Sequence, residues 1–184
     1  MKLLRAIRLD PSDTFVFENA AEPGEIIVAG SFAFWHCDAA ALTGKQRSAF
    51  RGGFLGVTSG GFSTLAQVCE VTEAEKDAAC AALASLLMKE FGAPTLEAAL
   101  PAAQEEIAAS AGLADHAPET LIAMHRSIGD DGEITEQFRT LHRRAETDMG
   151  LDPKHYRAFT FFESDAADAE RVDFDRLMKD KGNA

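Results

Sequence analysis

The chain has 184 residues, 46% of them hydrophobic and 26% charged, with a formal net charge of −12. This length and balance predict one domain, residues 1–184, large enough to bury its own core. The acid excess excludes a general nucleic-acid binder, which needs a basic face, and no stretch has the apolar length of a membrane span or a signal-peptide core, so the expected setting is the cytoplasm.

The first predicted strand is "LLRAIRLD", followed by a short "FVF" strand between turn signals at 15–17. "EIIVAGSFAFW", 25–35, is rich in Ile, Val and Phe and predicts a longer strand, with Gly30 marking a bulge or a close backbone approach. On this reading Trp35 is anchored in the core. "LTGKQRSAF" predicts a short helix with Thr43 at its N-cap.

"GVTSGGFS", 56–63, nearly matches the phosphate-binding pattern G-x-x-x-x-G-K-[ST], but Phe62 stands where the lysine belongs. The segment after the glycines is also strand-like, where a P-loop needs a helix. Two independent requirements fail. The expectation is an antiparallel pair, 54–58 with 62–69, turning at Gly60-Gly61 and holding no nucleotide.

Thr72 and Glu75 have the spacing of a capping box, and Cys80, Leu83, Leu86, Leu87 and Phe91 form the apolar stripe of the helix that follows. Gly92 and Pro94 end it. A second helix is expected over 95–111, interrupted or kinked at Pro101 and stopping near Gly112. The two should pair on one face of the sheet. Residues 70–119 hold ten acids and two bases, so most of the negative charge lies here, as a solvated face or a docking face for a basic partner.

In 121–141, Ile134, Phe138 and Leu141 fit helical spacing, yet Asp130-Asp131-Gly132 reads as a three-residue hairpin loop. Closing that loop sets Ile128 opposite Ile134, Arg126 opposite Glu136 and Met124 opposite Phe138. Apolar meets apolar and cation meets anion, which selects the hairpin. A strand at 156–164 and a helix around 169–180 complete the chain. The fold class is α+β: a largely antiparallel sheet built from β-hairpins, covered on one side by a central helix pair.

No cofactor or metal is expected. His36, His116, His125, His142 and His155 lack ligand spacing, and Cys37, Cys69 and Cys80 form no C-x-x-C pair, as befits a reducing compartment. Cys37 beside His36 resembles a reactive pair, but strand neighbours point to opposite faces, which favours a structural role. Two basic clusters are candidate anion sites, since Arg offers a planar fork to carboxylate or phosphate. One is Lys45, Arg47 and Arg51. The other comprises His125, Arg126, Arg139, His142, Arg143 and Arg144, with Arg126, Arg139 and His142 the leading candidates. The competing role for both is pairing with the chain's own acids.

The stretches "MKLLRAIRLDPSDTFVFENAAEPGE", "GGFLGVTSGGFSTLAQVCEVTEAE", "FGAPTLEAALPAAQEEIA" and "DDGEITEQFRTLHRR" resemble an uncharacterised family of small acidic alphaproteobacterial proteins, a domain of unknown function. The resemblance runs along most of the chain and carries no catalytic motif. It implies an accessory or maturation role near molybdenum-containing oxidoreductases. Two function classes are expected: a non-catalytic binding or accessory protein, partnered by a second copy of itself or by another protein, or an enzyme or sensor for a small anionic metabolite held near the glycine turns. A deep pocket with converging charged groups favours the second, and a shallow apolar surface the first.

Overall fold

The computed structural model describes residues 1–38, 41–129, 132–143 and 161–163, of which 142, 143 and 161–163 are described by backbone alone. The proposed helix around 169–180 and the start of the strand at 156–164 lie outside the described residues.

A five-stranded antiparallel sheet runs in the order β1 (Lys2–Ala6), β5 (Leu65–Glu70), β6 (Leu121–Ile128), β7 (Ile134–Arg143), β8 (Phe161–Glu163). A smaller antiparallel sheet holds β2 (Ile27–Val28), β3 (Phe54–Gly56) and β4 (Phe62–Ser63). A bridge between Arg5 and Ile26 joins the two, and only Thr64 separates β4 from β5. The pairings therefore close a ring through β1, β2, β3 and the β4–β5 run. Both faces of β1 are covered: Leu3 and Leu4 point opposite ways and both are fully buried, in different apolar clusters.

The helix pair covers the Leu3 side. Helix α3 (Glu73–Glu90) opens with the expected capping box: Glu75 N–H donates to Thr72 Oγ1 at 3.2 Å, and Thr72 N–H donates to Glu75 Oε2 at 2.8 Å. Its Cys80, Leu83, Leu86 and Leu87 are buried, packed with Ala99, Ala103 and Ile107 of α4 (Leu96–Leu113). Burial pushes the thiol pKa of Cys80 up, as an inert core cysteine requires. Helix α4 runs unbroken past Pro101. The proline and Glu97, whose carbonyl loses its helical partner, are both exposed, so water can serve the freed group.

The β6–β7 hairpin has the predicted register, with Ile128 opposite Ile134, Arg126 opposite Glu136 and Met124 opposite Phe138. Gly132 carries φ +82°, and Gly129 N–H donates to the Glu133 carbonyl at 2.9 Å.

Five local expectations are corrected. Phe15 and Val16 lie in a short helix, α1 (Ser12–Val16), not a strand: Pro11 precedes it, and the Asp10 carboxylate takes the Ser12 N–H at 2.8 Å. The 25–35 strand is two residues long, because Gly30 turns the chain at φ +71° into a 3-10 turn, Ser31–Phe34. Only glycine fits there, since a Cβ would stand 2.6 Å from Leu55 Cβ. Trp35 is consequently 69% exposed rather than anchored. The 62–69 run is split at Thr64 between the two sheets, although Gly60, at φ +65°, does sit in the turn between β3 and β4. Phe91 is 37% exposed and stacks edge-on against Phe32 instead of entering the core.

Leu83 is wholly enclosed between α3, α4 and the sheet. Leu83→Ala should cost about 2–5 kcal/mol in urea denaturation, and an unchanged midpoint would mean that this stripe contributes no packing.

Candidate functional site

The P-loop look-alike holds an anion, and the anion belongs to the chain. The Glu25 carboxylate accepts from Thr58 N–H at 3.2 Å, Ser59 N–H at 3.1 Å and Ser59 Oγ–H at 2.5 Å, and also from its own turn through Glu22 N–H at 2.7 Å. Successive backbone N–H groups converging on an oxyanion are the physical basis of a phosphate nest. Here a carboxylate fills it. Gly56 leaves room for this carboxylate: a Cβ would lie 2.4 Å from Glu25 Oε1 and displace it.

A second charged centre is buried. The Arg126 side chain is 0% exposed, and Nε–H donates to Glu136 Oε1 at 2.7 Å. Nη1–H donates to the Phe50 carbonyl at 2.8 Å, and Nη2–H to the Ala29 carbonyl at 2.5 Å. The guanidinium also lies over the Phe34 ring, 5.3 Å from its centroid. Burial lowers its pKa, and the hydrogen bond and charge of Glu136 oppose that shift. Glu106 of α4 faces the same cluster. Its carboxyl pKa is raised, first by burial and then by the charge of Glu136, while Gly30 N–H and Arg126 pull the other way.

The third feature is an open cleft of about 520 Å³. Its apolar walls come from Ala33 and Phe34 of the 3-10 turn, Leu42, Ala49 of helix α2 (Gly44–Gly52), Leu55, Phe62 and Phe91. Phe34 and Phe62 form an aromatic floor, their ring centroids 5.8 Å apart, and Phe50 packs edge-on against Phe34 beneath it at 5.4 Å. Among the described residues the rim carries one anion, Glu18, one cation, Lys45, and the polar groups of Asn19, Gln46 and the exposed Cys37. This volume falls in the range that suits a small ligand.

Among the described side chains the anion-site candidates do not converge. Of the first cluster only Lys45 reaches the cleft. Arg47 and Arg51 are both exposed, two and six residues on, which at 100° per residue turns them well away from Lys45 around α2. Arg126 is committed to internal partners: Glu136, the Phe50 and Ala29 carbonyls, the Met124 sulfur and the Phe34 ring. Arg139 is exposed and opposite Ala123, so strand alternation puts it on the other face from Arg126. The backbone of His142 pairs with Phe162, and Arg144 lies outside the described residues. His36 and Cys37 sit in a turn past the 3-10 segment, not in a strand. Thr43 occupies the N-cap of α2 without a side-chain hydrogen bond. Sequence reasoning missed Glu18, Leu42 and Phe62 as cleft residues, and Glu25 as the occupant of the glycine turn. The signal for Glu25 was indirect: the N–H groups of such a turn need an acceptor, and a nearby carboxylate can supply it where no lysine helps to recruit phosphate.

A family model described as a family of unknown function, DUF6505, matches residues 1–153. The chain belongs to that family. No curated protein and no solved structure matches it. Membership brings no assigned chemistry, so the cleft and the two charged centres carry the functional reading of this DUF6505 protein.

Two outcomes follow from the charged centres. Gly56→Ala and Glu25→Ala should each lose about 1–3 kcal/mol, and the double variant little more than either alone, since both empty the same nest. Additive losses in urea denaturation would show that the two residues act separately. For Glu106 the folded pKa lies above the ordinary 4.5, so between these two values the native state binds the proton more strongly than the unfolded chain does. Stability from this group therefore rises as pH falls through the folded value towards 4.5. Glu106→Gln should be more stable than the parent at pH ~7.5, with the gain shrinking towards pH ~5; parallel stability–pH curves for the two proteins would contradict this.

Proposed function

We propose that this protein is a non-catalytic binding protein whose cleft accepts an apolar group, aromatic rings or a short alkyl chain, from a small molecule. The observation that carries this reading is the combination of an aromatic floor with a charge-balanced rim. Among the described lining residues Lys45 and Glu18 cancel, so on this reading selection rests on apolar shape and area rather than on charge. Among the described lining residues there is no histidine to activate Cys37, which supports binding over covalent chemistry.

A second reading, an enzyme or sensor for a small anionic metabolite, is favoured by one observation, the placement of Lys45 on the rim. Two fluorescent probes separate the readings. N-phenylnaphthylamine is uncharged, and anilinonaphthalene sulfonate adds a sulfonate to the same rings. On the apolar reading both bind with affinities within about threefold, and Leu42→Glu weakens both by about tenfold or more. If the sulfonate binds about tenfold more tightly and Lys45→Gln removes the difference, the anionic reading replaces the first. Failure of both probes to bind overturns both readings.

A further inference from the structure

We propose that Arg126 is the positioning residue of the cleft, setting the separation of its two walls; the inference rests on the cleft being the binding site proposed above. One wall is the 3-10 turn, which contributes Ala33 and Phe34, and the other is α2, which contributes Lys45, Gln46 and Ala49. Arg126 touches neither the cleft lining's polar rim nor solvent. It holds the carbonyl of Ala29, just ahead of the turn, and the carbonyl of Phe50, in the last helical turn of α2. The Phe50 carbonyl is one that the helix cannot satisfy itself, and a cation there also complements the helix dipole. Both carbonyls are bound by one planar guanidinium, so the distance between the two elements is fixed by the width of a rigid group. Its face supports Phe34, a floor residue of the cleft. Lysine, with a single ammonium on a flexible stem, cannot reproduce a span of this kind.

The test must separate positioning from stability, because removing Arg126 alone leaves Glu136 as an unpaired, partly buried charge. Arg126→Met combined with Glu136→Gln removes both charges, and such replacements are often tolerated. Glu136→Gln alone keeps the guanidinium on its two carbonyls. Binding of N-phenylnaphthylamine should weaken about tenfold or more in the double variant, with a urea midpoint near that of the parent, and stay within about twofold in Glu136→Gln. Arg126→Lys should weaken binding like the double variant, and it supplies the same comparison if the double variant does not fold. Unchanged affinity in both Arg126 variants, or an equal loss in Glu136→Gln, overturns the proposal.

Hydrogen exchange reads the clamp without any ligand. Amides of 30–37 and 44–53 should exchange about tenfold faster in Arg126→Lys than in Glu136→Gln, while those of β1 and β5 match. If the probe fails to bind the parent protein, the cleft reading falls but the exchange comparison still decides the clamp. Equal exchange in the two variants overturns it.

Discussion

A guanidinium removed from water organises one side of this molecule. Arg126 reaches carbonyls 76 and 97 positions away in sequence, on α2 and at the head of the 3-10 turn, and pairs with Glu136 on the neighbouring strand. Desolvating a cation costs several kcal/mol, and only a complete set of partners offsets it. The partners must therefore be assembled together. Phe34 lies against the group that holds its own segment in place, and Phe50, whose carbonyl that group also binds, packs edge-on against Phe34. The hairpin register is part of the same constraint. A one-residue slip of β6 would send Arg126 to the opposite face and leave these carbonyls without a donor.

The chain spends its acids in the same manner. Glu25 fills the glycine turn, and Asp13, only 5% exposed, accepts from Thr64 N–H and from the hydroxyls of Ser63 and Thr64. Glu75 closes the capping box of α3 and also pairs with Arg5 at 2.6 Å. An oxyanion held by backbone N–H groups is a general solution, whether the oxyanion is phosphate or carboxylate. The likeness of 56–63 to a P-loop was thus physically sound as to the kind of charge held and misleading as to its source. A missing lysine and a filled nest are two aspects of one arrangement, because a resident carboxylate and a bound phosphate would compete for the same N–H donors.

What was legible in the sequence was local. The β6–β7 register follows from a three-residue loop and matched neighbours, and the α3 capping box from a spacing of three. Both are decided within a few residues, so no distant contact could override them. The 25–35 segment was misread because its fate is set from outside. Its composition favours a strand, but Leu55 forbids a side chain at position 30 and Arg126 holds the Ala29 carbonyl. The run after Gly61 was misread for a parallel reason, since Asp13 binds both the N–H and the hydroxyl of Thr64. Phe91 falls at the end of its stripe, beyond the last helical residue, where the helix no longer dictates the side chain's face. The cleft inherits these difficulties: its lining comes from five separate stretches of chain, and no single stretch carries a periodic signal for it.

The concavity itself traces to the two places where strand pairing stops. Had β2 continued in its register, Ala29 would have met Phe54, the first residue of β3, and the residues beyond would have run into the space that α2 occupies. The turn at Gly30 instead lays Phe34 against Phe50 and Phe62 and leaves Trp35 outside. The break at Thr64 ends β4 at Ser63, and Phe62, still paired with Leu55, tilts against Phe17 and Phe34 as part of the cleft floor. Each break is held by a buried charge, Arg126 beside Gly30 and Asp13 at Thr64. An apolar core alone would not keep such breaks, because backbone groups leaving a ladder must find other partners. The charged residues supply those partners. They act on the cleft as the architecture of its floor and walls, which is why the groups that shape this site are not the groups that line it.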